Sequence, residues 1–98
     1  MDIKTTLNND TLEIALTGRL DTVTSPDLEK ELVNSLEGVK KLVLDFAKLE
    51  YISSAGLRVL LSAQKMMKAQ GCMEVCNVNA NIMEVFEITG FVDVLTIK

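Results

Sequence analysis

The sequence has no histidine in its 98 residues. Without an imidazole there is no Ser-His-Asp triad, no Cys-His pair, no HExxH zinc site and no histidine phosphocarrier. Cysteine is nearly absent too. Cys72 and Cys76 do not form a CxxC unit and are too few for a structural zinc cluster. If their segment is a strand, the even spacing puts both on one face. Their expected role is that of two small buried hydrophobes in a reducing compartment. The glycines Gly18, Gly38, Gly56, Gly71 and Gly90 are scattered, and none belongs to a GxGxxG or GxxxxGK(S/T) phosphate loop. Basic residues are in deficit: Lys plus Arg number 10 against 14 Asp plus Glu, a formal net charge of -4. Such a chain lacks the electrostatic footprint that supplies most nucleic-acid affinity, so no direct nucleic-acid contact is expected. No apolar run approaches the roughly 18 residues needed to span a bilayer, so no membrane insertion is expected. The opening Met1-Asp2-Ile3-Lys4 shows no charged-then-apolar signal segment. These absences point to a cytoplasmic binding module with no cofactor, and away from an enzyme.

Hydrophobic residues at 48% and charged residues at 24% give a globular balance, and 98 residues suit one domain over 1–98. Ile3, Thr5 and Leu7 alternate, as do Leu12, Ile14 and Leu16, with Asn8-Asn9-Asp10 between them. This pattern predicts a hairpin. Gly18-Arg19-Leu20-Asp21 reads as a loop. Ser25 then precedes Pro26, with Asp27 and Glu29 in the first turn, and Leu28, Leu32, Val33 and Leu36 form an apolar stripe. A helix is predicted over about residues 26–36, with Ser25 as its cap and Gly38 beyond its end.

Leu42-Val43-Leu44 and Phe46, interrupted only by Asp45, predict a central strand covered on both faces. After a short loop, Ser53-Ser54 opens a helix to about Gln70, stopped by Gly71. Met73 and Val75 suggest a further strand. Asn79 caps a short helix carrying Ile82, Val85, Phe86 and Thr89, and Gly90 ends it. Val92, Val94 and Thr96 alternate as a last strand. The predicted order is β-β-α-β-α-β-α-β. This is an α/β fold with a mixed sheet of about five strands packed against about three helices.

The informative stretch is Leu42-Val43-Leu44-Asp45-Phe46 through Tyr51-Ile52-Ser53-Ser54-Ala55-Gly56-Leu57-Arg58. It places two serines at a helix mouth, where backbone N–H groups are free and the positive end of the dipole favours an anion. On its own, a serine there is a helix cap more often than a phosphate site. Gly56, Val59, Leu60, Ala63 and Met67 share the expected core face. Leu57 and Leu61 lie beside it, either as an exposed apolar patch or covered by the neighbouring helix, the commoner fate of a leucine. Gly56 serves either close packing or backbone access for a partner.

Three stretches resemble the landmarks of the STAS-domain anti-sigma-factor antagonist family, in order and over essentially the whole chain. They are Leu16-Thr17-Gly18-Arg19-Leu20-Asp21, Lys41-Leu42-Val43-Leu44-Asp45-Phe46, and Tyr51-Ile52-Ser53-Ser54-Ala55-Gly56-Leu57. The third resembles the family's phosphorylation motif, commonly Asp-Ser-Ser/Thr-Gly-Leu. Matched by position, the resemblance puts the phosphoacceptor at Ser54, with Ser53 as second choice. Ser53 stands where the motif has Asp, Ala55 where it has Ser or Thr, and Arg58 where Gly is frequent. The family's usual C-terminal helix has no counterpart before Lys98. The resemblance implies a partner switch. The unmodified protein binds an anti-sigma factor that is also a serine kinase of the GHKL type, which frees a sigma factor. Phosphorylation of Ser54 reverses this, and a PP2C-type phosphatase restores the first state. Asp21, Ser53, Ser54, Gly56, Leu57 and Arg58 form the expected contact region. The alternative within the family is a non-phosphorylated subunit of a lipid-transport ATPase or stress-sensing complex. A serine hydrolase is the rival from outside it, but Ser54 has no histidine base, and Lys48 or Arg58 is a poor substitute.

Overall fold

In the computed structural model, which describes residues 1–98, the period-two alternation at the N-terminus folds into the expected hairpin. Strand β1 (Asp2–Asn8) pairs antiparallel with β2 (Thr11–Leu20), and Asn9 takes the left-handed conformation the turn needs, with φ 57°. Strand β2 continues through Gly18–Leu20, where a loop was expected. Its ladder with the next strand resumes after register shifts between Ala15 and Thr17 and between Gly18 and Arg19. Gly18, at φ 104°, supplies the backbone freedom a bulge requires.

Helix α1 (Ser25–Ser35) begins one residue before the expected start, and its N-cap position is Thr24, not Ser25. The Thr24 hydroxyl is used elsewhere. It accepts from the Asp21 N–H at 2.9 Å and donates to the Arg19 carbonyl at 2.7 Å. Ser25 is buried, and its hydroxyl donates to the Asp21 carbonyl. Strand β3 (Lys41–Ile52), helix α2 (Ser54–Lys68), strand β4 (Cys72–Cys76) and helix α3 (Ala80–Thr89) follow. Asn79 caps α3 by accepting from the Ile82 N–H at 2.8 Å, and Gly90 ends it with φ 81°.

The sheet has four strands in the order β1-β2-β3-β4, with β2, β3 and β4 mutually parallel. The expected fifth strand over Val92–Thr96 does not form. Gly90 turns the chain straight into a 3-10 turn, Phe91–Asp93, which seats Leu95 in the core. Ile97 alone meets Val75 in a parallel bridge, flanked by Val75 N–H to Thr96 carbonyl at 2.9 Å and Lys98 N–H to Val75 carbonyl at 2.8 Å.

β3 is not covered on both faces. Leu42, Leu44 and Phe46 are buried, while Val43 and Asp45 between them are partly exposed. The strand order gives the reason. Strands β2, β3 and β4 advance in one direction, so right-handed crossovers place α1 and α2 on the same side. One face of the sheet and the helices enclose a single cluster of 23 buried hydrophobic residues, in which Phe46 and Phe86 lie 6.5 Å apart between ring centroids. The expected burial of the cysteines also fails. Met73 and Val75 take the inward face of β4, so Cys72 is exposed and Cys76 half-buried on the open face.

Candidate functional site

The site stands at the carboxyl ends of β2 and β3, where the last register pair is Leu20 with Ile52. Ligand and partner sites of parallel sheets are commonly built outside this end. No loop separates β3 from α2. Ile52 leads directly into Ser53, whose N–H donates to the Leu20 carbonyl at 2.9 Å. Ser53 is extended, with φ −98° and ψ 176°, and is the N-cap. Its hydroxyl accepts from the Gly56 N–H at 3.3 Å, and its carbonyl accepts from the Leu57 N–H at 2.9 Å. Ser54 is the first helical residue and is exposed. The two serines therefore differ in how they are bound. Ser53 caps the helix, and Ser54 holds an outward hydroxyl that takes no part in the capping bond.

Gly56 and Leu57 lie underneath. A Cβ on Gly56 would come within 2.8 Å of Ile52 Cγ1, 2.9 Å of Leu20 Cγ and 3.0 Å of the Leu20 carbonyl oxygen. This glycine allows close packing of α2 on the ends of β2 and β3, which decides against backbone access for a partner. Leu57 is 7% exposed and belongs to the core, so of the two leucines that suggested an apolar patch it is covered, while Leu61 is half-buried. Gly56 and Leu57 hold the mouth of α2 in place and present little surface of their own. Arg58 is exposed. With Ala55 and Ser62 it forms one wall of a groove of about 260 Å³ whose other wall is Thr22, Pro26 and Glu29.

Asp21 follows Leu20 and so lies one backbone pairing away from Ser53. One carboxylate oxygen accepts from the N–H groups of Val23 at 3.0 Å and Thr24 at 3.1 Å, and the other lies 3.8 Å from Arg19 Nε. The Thr24 N–H bond is the main reason its carboxyl is held below the usual carboxylate range. Partial burial opposes the shift, and the Thr24 hydroxyl, the Val23 N–H and Arg19 assist it. Asp21 thus organises the β2–α1 loop beside the serines.

Three residues beside the site were not foreseen. The Arg19 guanidinium lies 4.3 Å from the centre of the Tyr51 ring, a cation–π contact between the register partners Arg19 and Tyr51. Their pairing depends on both register shifts, which leave no trace in the residue pattern. Val23, at the tip of the adjoining loop, is 82% exposed. A second depression, of about 320 Å³, lies on the opposite, open face of the sheet among Lys4, Glu13, Asp45 and Lys48, away from the serines. No helix is long and apolar enough to cross a membrane.

A mixed sheet with helices on one face, and a capped serine pair where the central strand enters a helix, defines the class. The chain matches the STAS domain over residues 2–98 and belongs to that family. It is 39% identical over 84 residues to BtrV of Bordetella bronchiseptica, named as a candidate anti-sigma factor antagonist, covering 84% of this chain and 72% of that protein. It is 29% identical over 92 residues to the anti-sigma-B factor antagonist of Bacillus subtilis, covering 93% of this chain and 84% of that one. The fold superposes on the Bacillus cell fate determinant SpoIIAA, solved in its phosphorylated form. The TM-score is 0.77 at 18% identity, over 99% of this chain and 91% of that one.

Proposed function

We propose that this protein is a cytoplasmic anti-sigma factor antagonist that works by partner switching. Its unmodified form binds an anti-sigma factor, a GHKL-type serine kinase, and frees a sigma factor. The kinase phosphorylates Ser54, the antagonist leaves, and a PP2C-type phosphatase regenerates it. The protein is a substrate in this cycle and performs no chemistry.

One observation carries the choice of acceptor. Ser54 is exposed at the first helical position, while the Ser53 hydroxyl is committed to the Gly56 N–H. The names of the relatives supply the class of partner. The docking surface is the corner formed by Asp21, Ser53, Ser54 and Arg58, with Gly56 and Leu57 supporting it from below. Phosphorylation adds about −1.5 to −2 charge at its centre. A mismatched charged contact in an interface costs about 2–5 kcal/mol, or roughly 30- to 5,000-fold in affinity. The charge stands at the mouth of α2, outside the core, so the fold persists.

The test is incubation with the candidate kinase and ATP, followed by mapping of the label and calorimetric titration of Ser54→Asp. Label on Ser54 that disappears in Ser54→Ala, with a folded Ser54→Asp that has lost the kinase, supports the cycle. Label confined to Ser53 refutes the acceptor. Full affinity in Ser54→Asp refutes the switch and leaves a constitutive STAS subunit as the remaining role.

A further inference from the structure

We infer that Arg58 is the internal counter-charge of a phosphoryl group on Ser54, so that modification adds an anion and at the same time withdraws a cation from the groove between α1 and α2. This rests on the acceptor assignment above and concerns what the phosphoryl group does once present.

Ser54 and Arg58 are four residues apart on α2, and both are exposed. Residues at that spacing are neighbours on a helix surface, with Cβ atoms about 5–6 Å apart. Helical side chains lean toward the N-terminus, so the Arg58 guanidinium is within reach of the turn that carries Ser54. The order is the favourable one, with the acid N-terminal to the base.

Arg58 is also uncommitted. The ion pairs of the molecule join Arg19 to Asp21 and both Lys41 and Lys98 to Glu74, leaving Arg58 outside them. Glu29 lines the same groove without pairing with it, and the first turn of α2 has no acidic residue to compete. Other cations are badly placed. Arg19 is held between Asp21 and Tyr51, and Lys48 lines the depression on the open face. A guanidinium offers a planar pair of donors that fits two phosphate oxygens at once.

In the unmodified protein, Arg58 faces the groove beside Thr22, Ala55 and Ser62, where it can receive an acidic group of a partner. With the phosphoryl group present, the same guanidinium turns along the helix and that contact is lost. The state of one serine therefore controls the availability of a cation one turn away.

The test does not depend on any kinase. Phosphoserine is placed at position 54 by genetic encoding, and the phosphate is titrated by phosphorus NMR in otherwise unaltered protein, in Arg58→Gln and in Arg58→Lys, each checked for a native circular dichroism spectrum. The second phosphate ionisation is expected about 0.2–0.4 pH units lower with Arg58 in place than in the Arg58→Gln protein. The Arg58→Lys protein should recover part of the difference, and 1 M salt should remove most of it. Coincident titrations of the Arg58 and Arg58→Gln proteins at low salt overturn the inference. A kinase that fails to label Ser54 counts against the proposed cycle alone, and coincident titrations count against the counter-charge alone.

Discussion

Replacing Gly56 by alanine separates helix propensity from packing at the site. In an exposed helix interior the change stabilises by about 1 kcal/mol. At Gly56 the added methyl meets Ile52 Cγ1 at 2.8 Å, Leu20 Cγ at 2.9 Å and the Leu20 carbonyl oxygen at 3.0 Å. Neither side chain can retreat, because Leu20 is fully buried and Ile52 almost so. The carbonyl is further tied by the bond it accepts from the Ser53 N–H at 2.9 Å. Overpacking of this kind costs about 1–3 kcal/mol, and a weakened backbone hydrogen bond about 1 kcal/mol more. Against the propensity gain, the net expectation is a loss of about 1–3 kcal/mol. For a domain of this size each kcal/mol lowers the melting temperature by about 4–8 °C. Urea unfolding of the two proteins reads the difference directly, with an unchanged slope expected because the surface exposed on unfolding is nearly the same. The Gly56→Ala protein should also bind its partner less tightly, since the contact moves the start of α2. A Gly56→Ala protein as stable as the parent, or more so, would show that the α2–sheet contact is looser than these distances state.

Gly71→Ala should be more damaging still. Its Cβ would overlap the Lys40 carbonyl oxygen, which accepts the Cys72 N–H at 2.9 Å where β3 and β4 first pair. A loss above about 3 kcal/mol is expected, and an unfolding midpoint close to the parent's would contradict it. The Asp21 carboxyl is held below its usual value of 3.8 in the folded protein. Its contribution to stability is therefore complete above that pH and is lost as the pH falls through the lowered folded value. In Asp21→Asn the urea midpoint should fall less steeply between pH 5 and pH 2 than in the parent, and equal slopes would refute the link. Burial, with Asp45, Glu13 and Glu74 adding to it, pushes the Cys76 thiol above its usual value of 9.0, while Cys72 is exposed. A thiol reagent at pH 8 should label Cys72 first, and faster labelling of Cys76 would contradict this placement. The two should form no disulfide with each other, because four residues along a strand separate their Cα atoms by about 13 Å.

What could be read from the residues follows from which interactions are local. The hairpin turn, the Asn79 cap, the Gly90 stop and the buried face of α2 depend on neighbours within four residues, and each appears where expected. Ser54 at a helix start is of the same kind. The misses depend on distant partners. Val92, Val94 and Thr96 alternate as a strand would, but the left-handed Gly90 and the insertion of Leu95 into the core decide their conformation. The apolar run of β3 suggested cover on both faces, yet strand order leaves one face open. The cysteines look outward because Met73 and Val75 look inward. Gly56 allowed two readings until Leu20, far away in sequence, was seen against it. The Arg19–Tyr51 pair depends on a ladder with two register shifts and could not have been found by counting residues.

The same contacts explain how an exposed serine can be fixed in position while its side chain contributes little to stability. Leu20 and Ile52 end adjacent parallel strands, and the chain leaves them in two directions, through Asp21 into α1 and through Ser53 into α2. Ser53 is held by the Leu20 carbonyl behind it and the Gly56 N–H ahead of it, and Gly56 is pressed onto Leu20 and Ile52. The backbone of Ser54 is thus positioned by fully or nearly buried side chains on either side, while its own side chain points into water. A group added there perturbs none of the packing that places it. Arg58 shares this division, since its backbone belongs to the packed corner and its charge to the surface, whereas the Asp21 carboxylate is itself part of the loop's hydrogen bonding. Substituting the exposed side chains should therefore change recognition with little effect on the unfolding midpoint, and substituting Leu20, Ile52 or Gly56 should change both. A binding loss at Ser54 or Arg58 that scaled with lost stability would mean the corner is not rigid.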